Sequence, residues 1–368
     1  MKKQIITILS FTILAIILMS WGATGHKKIN LNASLSFNYQ MSQFLSWAPT
    51  LQLHSTDADN RKDTDPTEAP KHYIDIDEYA VFNTQHRIPQ TWDSIVYLYG
   101  YSTVTDYGIL PWATVTTYDT LVKCFQRNDF GKAILTASDL GHYVADGHMP
   151  MHITKNYDGQ LTGNSGIHSR YESTMIGAYN SMIVYSGDTN LNVIQNMNQY
   201  VFDYIYNNSK YKDSVLIADN NAKTAAGGST SSSAYTLALW DNTKNFTIPL
   251  FKEASHKLAE IIYTAWVKAG SPLGIYDIKK NPSVFFEQNS PNPFSNSTNL
   301  RFHLTDNMQH ITLLIKDNSG KTVCILIDEK LDAGDHSIKW IPNHLPKGIY
   351  YGVLQNGNMV LSQKILFL

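Results

Sequence analysis

The hydrophobic periodicity of the chain changes near residue 270, and this change constrains the fold more than any other feature. Before it, apolar residues recur every three or four positions, as in VFDYIYNNSKY and FKEASHKLAEIIYTAWVKAG, which is the pattern of amphipathic helices. After it, short runs rich in β-branched and aromatic residues, such as HITLLIKD and GIYYGVLQ, are separated by turn sequences such as DNSGK and QNGN. The sequence therefore predicts a mainly α-helical domain followed by a small all-β sandwich.

The length of 368 residues also favours two domains over one. We place the helical domain at residues 21–271, a linker at 272–284 and the β-sandwich at 285–368. Within the helical domain, the polar, small-residue segment 220–233 (NNAKTAAGGSTSSS) predicts a loop.

Residues 1–20, MKKQIITILSFTILAIILMS, have the composition of a secretory signal peptide. Lys2 and Lys3 precede an apolar run that is short for a membrane span. Ser20 is a small residue suited to the position before cleavage, so we expect the mature chain to begin at Trp21; an uncleaved anchor is the alternative. No later segment is long and apolar enough to cross a bilayer, so we expect an exported protein without a stable membrane span.

The charge of the chain does not indicate a particular polyanionic partner. The formal net charge is −2, and the sequence contains no long basic run. A local groove can still bind a phosphate-containing molecule.

The stretch GHYVADGHMPMH, residues 141–152, contains candidate metal ligands. His142 and Asp146 are four residues apart in a helical pattern and so share a face. We expect Pro150 to end that helix, which lets His152 turn back toward the same pocket. Taken alone, a histidine and an aspartate at this spacing more often form a solvated helix face than a metal site.

Three other segments place histidines near carboxylates or near the expected new N-terminus. They are HYIDID (His72, Asp75, Asp77), GIHSRYE (His168, Glu172) and WGATGH (Trp21, His26). Zinc prefers imidazole nitrogen and carboxylate oxygen as ligands, and catalytic zinc keeps one coordination position open for water. Together the four segments supply ligands for more than one ion.

HYVADGHMPMH followed by GIHSRYE resembles the central signature of the zinc-dependent phospholipase C family, a helical fold with three clustered zinc ions. HYIDID is similar to the His-x-x-Asp-x-Asp segment of that family. WGATGH is more similar to the N-terminus of the related single-strand-specific zinc nucleases. The resemblance spans residues 21–172 and rests on four segments that occur in the same order.

The resemblance implies a ligand set for three zinc ions. The implied ligands are Trp21 and His26 for one ion, Asp59, His72 and His142 for a second, Asp146 as a bridge between two ions, and His152, His168 and Glu172 for the third. Trp21 would contribute its amino and carbonyl groups, so removal of the signal peptide would complete the site.

Some residues near these segments stay ambiguous at this stage. Asp57 also fits the family spacing, although Asp59 is favoured. His148 is not required by the family pattern and lies off the helical face of His142, so we expect it at the surface or in a supporting role. Asp75 and Asp77 can either orient a ligand, contact substrate or form structural hydrogen bonds.

The resemblance implies hydrolysis of a phosphodiester, with Asp59 as the candidate catalytic carboxylate that orients or deprotonates the attacking water. Glu172, Pro-Met-His and HYIDID slightly favour a phospholipid substrate. WGATGH and aromatic residues such as Tyr73, Tyr79 and Tyr143 favour single-stranded DNA or RNA. A zinc-binding surface protein without catalysis is a further alternative, against which the complete ligand set argues.

The β-domain carries a second resemblance. SPNPF at residues 290–294, the GIYYGVLQNG hairpin and the terminal KILFL are together similar to the C-terminal sorting domains of cargo for the type IX secretion system. This resemblance implies transport by the type IX machinery across both membranes of a Gram-negative cell, and a secreted or cell-surface location. A sandwich that binds carbohydrate or stabilises the enzyme is the alternative.

Overall fold

A computed structural model describes residues 22–272 and 284–368, apart from residues 306, 308, 319, 357 and 358. The expected signal peptide, Trp21 and residues 273–283 of the expected linker lie outside the described residues.

The first part of the described chain is helical. Its α-helices are Gly22–Ala33 (α1), Ala48–Leu53 (α2), Asp57–Arg61 (α3), Ala80–Gln85 (α4), Trp92–Tyr99 (α5), Tyr101–Asp106 (α6), Leu110–Gln126 (α7), Phe130–Asp146 (α8), Ile167–Ser169 (α9), Ile176–Tyr179 (α10), Met197–Ser209 (α11), Tyr211–Ala225 (α12) and Ser233–Lys268 (α13). Short 3₁₀ segments, at Ser34–Ser36, Tyr39–Trp47, Ala69–His72, Ile76–Glu78, Pro150–His152 and Asn180–Met182, and a π-helical segment, Arg170–Met175, lie between them.

The second part of the described chain consists of two antiparallel sheets. Its strands are Val284–Phe286 (β1), Thr298–Leu304 (β2), Gln309–Asp317 (β3), Thr322–Leu331 (β4), Gly334–Trp340 (β5), Gly348–Asn356 (β6) and Met359–Phe367 (β7). The strand orders are β1-β2-β5 and β4-β3-β6-β7. Residues of both sheets, such as Phe302 and Leu313, share one apolar core. A helical domain followed by a small β-sandwich confirms the predicted fold class.

Helix α8 packs against α1, α2, α7 and α13 and is therefore enclosed by the rest of the helical domain. The Asp129 side chain caps its N-terminus by accepting a hydrogen bond from the Lys132 amide at 3.0 Å. Ala137, Leu140 and Val144 are completely buried. This enclosure is what places the polar end of α8 inside the protein.

The contact between α8 and α1 depends on Gly141. A Cβ atom at this position would lie 2.1 Å from Asn30 Oδ1 and 2.7 Å from Leu258 Cδ2, so only glycine fits without displacing a neighbour. Asn30 is itself fixed, because its Nδ2 donates to Leu51 O at 3.1 Å and to Ser138 O at 3.0 Å. The close approach brings His142, the next residue, beside α1.

Helix α8 ends at Asp146, and the expectation that Pro150 ends it was wrong. After Gly147 the backbone tightens, because the His148 amide bonds to Ala145 O at 2.9 Å, three residues back instead of four. Pro150 instead begins the 3₁₀ turn that contains His152.

The predicted loop at 220–233 was wrong in its first half. Helix α12 continues to Ala225, and α13 begins at Ser233. Ala222 is completely buried one helical turn after the buried Ala218, so the apolar stripe of α12 continues into this polar segment. Among the described residues, no helix combines the length and the apolar character that crossing a membrane requires.

Replacing Gly141 by alanine should lower the free energy of unfolding by roughly 1–3 kcal/mol, because the added methyl group collides with the fixed Asn30 side chain. Urea unfolding of the metal-free protein measures this change. Gly177→Ala is the matched control, since Gly177 lies in α10 and, apart from its chain neighbours and the backbone of its own helix, no atom lies within 4 Å of the new methyl group. Equal destabilisation by the two substitutions would contradict the close-approach explanation.

Candidate metal centre

Three groups of side chains that can hold a metal ion lie within the described residues. They are His26, His142 and Asp146; Asp59, His72 and His142; and His152, His168 and Glu172. Within each group the candidate ligand atoms lie within 4.8 Å of one another. The structure thus brings together the ligand candidates from the sequence, except Trp21, which lies outside the described residues.

Each group combines residues from different elements. His26 belongs to α1, Asp59 to α3, and His142 and Asp146 to the last turns of α8. His72 and His152 each end a short 3₁₀ segment. His168 lies on α9 and Glu172 in the π-helical segment that follows, so these two side chains face each other one turn apart.

Asp146 connects the first two groups. Its Oδ2 atom lies 3.3 Å from His142 Nε2 and 3.0 Å from His72 Nδ1. Its Oδ1 atom lies 3.5 Å from His26 Nε2. The two carboxylate oxygens therefore face different histidine sets, as a bridging ligand requires.

The distances between ligand atoms fit a tetrahedral ion. Zinc bonds of about 2.0–2.1 Å hold tetrahedral ligand atoms roughly 3.4 Å apart, which is longer than an ordinary hydrogen bond. His142 Nε2 lies 3.5 Å from Asp59 Oδ1, and His72 Nδ1 lies 3.7 Å from the same oxygen. His72 Nδ1 and His142 Nε2 are closer, at 2.9 Å.

The third group has the same spacing. Glu172 Oε1 lies 3.3 Å from His168 Nε2, and Glu172 Oε2 lies 3.5 Å from His152 Nε2. Among the described residues, no hydrogen bond reaches Asp59 Oδ2, His152 Nε2 or Glu172 Oε2, although all three atoms are buried. Buried polar atoms seldom lack a hydrogen-bond partner, and a metal ion that accepts their lone pairs would take the place of that partner. The residues therefore fit bound zinc.

Backbone carbonyl groups orient three of the histidines. The bonds run from His142 Nδ1 to Ser55 O at 2.7 Å, from His152 Nδ1 to His72 O at 2.6 Å, and from His168 Nδ1 to Tyr157 O at 3.1 Å. Because Nδ1 carries the proton in each bond, Nε2 keeps a lone pair in the neutral ring and faces the centre.

The electrostatics of the centre also suit a cation. The rings of His26 and His142 stack with centroids 3.8 Å apart. Burial, reinforced by the charge of His142, lowers the pKa of His26 to about 3. Burial also disfavours charge on His142, but Asp146 and Asp59 outweigh it and raise the pKa of His142 to about 10. A zinc ion would replace the proton that balances these carboxylates, so binding would release protons.

The geometry separates Asp57 from Asp59. Asp57 Oδ2 lies 2.7 Å from His54 Nδ1, and its side chain is 44% exposed. Asp59 is only 9% exposed and faces His72 and His142. Asp59 is therefore the carboxylate that belongs to the second group.

His148 belongs to none of the three groups. It is completely buried, and its ring stacks on that of Tyr204 with centroids 4.6 Å apart. Its Nδ1 atom donates to Val144 O at 2.7 Å, and burial lowers its pKa to about 4. The expected surface position was wrong, because the tightened turn after α8 directs this side chain toward α11.

Asp77 has a structural role. It accepts hydrogen bonds from Thr154 Oγ1 at 2.6 Å, the Lys155 amide at 3.0 Å and Lys212 Nζ at 3.0 Å. These bonds fix the chain just after His152. Asp75 lies outside the three groups, and burial together with the charge of Asp77 raises its pKa to about 7.

The sequence analysis missed Glu68. Its side chain is only 1% exposed, and its Oε1 atom lies 3.5 Å from His72 Nε2. The sequence did contain a signal for Glu68. Glu68 precedes His72 by four residues, which is the same separation as between His168 and Glu172.

The comparison with known protein families gives a match in the β-domain. Residues 290–367 match the family described as the secretion system C-terminal sorting domain. This match confirms the resemblance seen in the C-terminal sequence, and it indicates secretion or attachment to the cell surface.

Solved structures that are similar to the chain as a whole include two alpha-toxins. One is the alpha toxin of Clostridium absonum, at 13% identity and a TM-score of 0.44, covering 93% of this chain and 95% of that one. The other is the Clostridium perfringens alpha-toxin from avian strain SWCP, at 12% identity and a TM-score of 0.45, covering 95% and 98%. Comparison with curated protein sequences finds no match. The chemistry of the centre therefore rests on the residues described above.

His152→Ala should remove a ligand of the third group and lower the zinc content by about one ion per chain, because only two of its protein ligands remain. His148→Ala should preserve the zinc content while lowering the melting temperature, because it leaves a cavity against Tyr204. Mass spectrometric metal analysis and thermal unfolding measure the two effects. Equal loss of zinc in both variants would mean that the register after α8 is misassigned.

Proposed function

We propose that this protein is a secreted zinc-dependent phosphodiester hydrolase of the phospholipase C type. The observation that carries the proposal is the meeting of three groups of candidate histidine and carboxylate ligands, the first two of which Asp146 connects. Sites with three protein ligands leave a position open for water, which distinguishes catalytic from structural zinc.

Clustered zinc ions bound there would lower the pKa of a water molecule and neutralise the charge of a phosphate group. Among the candidate ligands that the structure describes, Asp59 is the most exposed, so it is the carboxylate best situated to meet that water. Burial alone would raise its pKa, but the charges of His142, His26 and Lys62 together lower it. Asp59 is therefore ionised, and it can orient a water molecule by accepting a hydrogen bond from it.

The basic residues near the centre favour a phospholipid over a nucleic acid strand. Binding of a strand relies on a positively charged groove that follows its backbone. Lys62 is paired with Asp59 at 2.6 Å, and Lys71 with Glu68 at 2.8 Å. Arg61 is likewise paired with acidic side chains. These charges are already balanced within the protein.

Two of the three tyrosines considered as base-stacking platforms support the same choice. The third, Tyr73, is partly exposed. Tyr79 is completely buried and Tyr143 is 2% exposed. Neither can stack on an extruded base. A single-strand-specific nuclease remains the second candidate, favoured by the WGATGH start of the expected mature chain.

The start of α1 supports the proposed role of the N-terminus. Gly22 is buried, and a Cβ atom there would lie 3.0 Å from the side chain of Ser173, the residue after Glu172. Trp21 is bonded directly to Gly22. We propose that a free amino group at Trp21, exposed by removal of the leader, completes the ligand set around His26.

Metal analysis and a substrate panel test the proposed function. We expect about three zinc ions per chain, by the ligand groups found here, and hydrolysis of phosphatidylcholine vesicles to diacylglycerol and phosphocholine. The same preparation is assayed on single-stranded DNA, RNA and a chromogenic phosphodiester. Turnover of nucleic acid without turnover of lipid would establish the nuclease instead. Full zinc loading without turnover of any substrate would contradict both enzymatic proposals.

Asp59→Asn should lower kcat by roughly 10²–10⁴-fold, because the amide cannot accept the proton of the attacking water. Asp57→Asn is the matched control, since it makes the same chemical change two residues away at an exposed position. Its kcat should equal that of the wild type. Steady-state kinetics on the chromogenic phosphodiester, together with metal analysis, separates loss of chemistry from loss of zinc.

A chain that carries one extra glycine before Trp21 should bind less zinc than a chain that begins at Trp21, because an amide nitrogen is a poor ligand. Metal titration of the two purified proteins measures the difference, and N-terminal sequencing establishes where each begins. Identical zinc affinities would remove the proposed role of the new N-terminus.

A further inference from the structure

Glu68 is a buried carboxylate beside the metal centre that the proposed chemistry does not use. Its Oε2 atom accepts a hydrogen bond from Lys71 Nζ at 2.8 Å. Its Oε1 atom accepts one from the Tyr143 hydroxyl and lies 3.4 Å from a guanidinium nitrogen of Arg61. The same oxygen lies 3.5 Å from His72 Nε2.

The orientation of His72 distinguishes it from the other histidines held by hydrogen bonds. His142, His152 and His168 direct Nδ1 at backbone carbonyl groups and Nε2 at the centre. His72 is turned the other way, because its Nδ1 atom lies among Asp59, His142 and Asp146. Its Nε2 atom must then carry the proton when Nδ1 offers its lone pair to an ion.

Within the described part of the chain, no backbone carbonyl accepts that proton. Among the described residues His72 Nε2 makes no hydrogen bond, and Glu68 Oε1 is the carboxylate oxygen within ion-pair distance of it. Both side chains are almost completely buried, so water does not readily substitute.

We propose that Glu68 is the positioning residue for His72. Its carboxylate receives the Nε2 proton and thereby fixes the tautomer and the ring orientation in which Nδ1 binds the metal. Metal binding makes the imidazole N–H a stronger donor, so the 3.5 Å contact should shorten into a hydrogen bond when the ion is present. This inference rests on the metal centre of the proposed function.

A purely structural role for Glu68 predicts a different response. Glu68 also contributes to an ion-pair cluster in which Arg61 binds Asp139 at 3.0 Å. If Glu68 only stabilised this cluster, removing the charge of Asp139 would disturb the centre in the same way. Asp139→Asn is therefore the matched control, because it acts on Arg61 without touching His72.

The test compares Glu68→Gln, Glu68→Asp and Asp139→Asn in the full mature chain. Zinc affinity is measured by competition with a chelating dye, and coordination by the visible absorption of the Co²⁺-substituted protein. Glu68→Gln should weaken one zinc site by about 10–100-fold and shift the Co²⁺ spectrum. Asp139→Asn should leave both unchanged. Far-ultraviolet circular dichroism of the metal-free proteins shows whether each variant is folded.

Glu68→Asp keeps the inference testable if Glu68→Gln does not fold. Aspartate retains the negative charge of the cluster, but it is one methylene shorter and so withdraws the oxygen that lies 3.5 Å from His72 Nε2. It should weaken the same zinc site in a folded protein. Wild-type affinity in Glu68→Asp, or equal effects of Glu68→Gln and Asp139→Asn, would overturn the positioning role. A wild-type protein that binds no zinc would instead contradict the proposed function itself.

Discussion

The burial of Asp146 is the constraint on which the rest of the helical domain depends. A carboxylate removed from water must be balanced by positive charge nearby, or it is strongly destabilising. Protonated His142 supplies that charge, since Asp146 and Asp59 raise its pKa, and a metal ion would supply it without protons. Burying the end of α8 is therefore compatible with a stable fold only because histidines from several distant segments lie beside this one carboxylate.

The periodicity of the sequence was sufficient to predict the two kinds of domain. Apolar residues recur every three or four positions before residue 270 and alternate with polar residues after it. These are the side-chain periods of a helix and a strand, so the local sequence pattern was enough to predict each kind of element. The four ligand-bearing segments were found for a similar reason, because each has its residues at short, regular spacing. Their meeting in space is a tertiary property, and the order of motifs in a known family, not the spacing, indicated it.

The features that the sequence did not reveal depend on contacts between distant residues. His148 is buried because a tight turn directs it toward Tyr204 in α11, and nothing within the stretch GHYVADGHMPMH specifies that neighbour. Helix α12 extends into a polar segment because two alanines a turn apart meet the core. Glu68 was overlooked because its proposed role depends on which nitrogen of His72 faces the centre, and only the structure shows that Nδ1 lies beside Asp146 and Asp59.

The backbone bonds that orient His142, His152 and His168 have an evolutionary consequence. A carbonyl group is present whatever side chain occupies the position, so Ser55 and Tyr157 can change identity over time without altering the tautomer of their histidines. These supports would leave no trace in a comparison of related sequences. Among the described residues His72 Nε2 has no such support, so in our proposal its orientation depends on Glu68, a side chain that a mutation can replace. By this proposal, divergent relatives would lose metal binding first at the site to which His72 contributes.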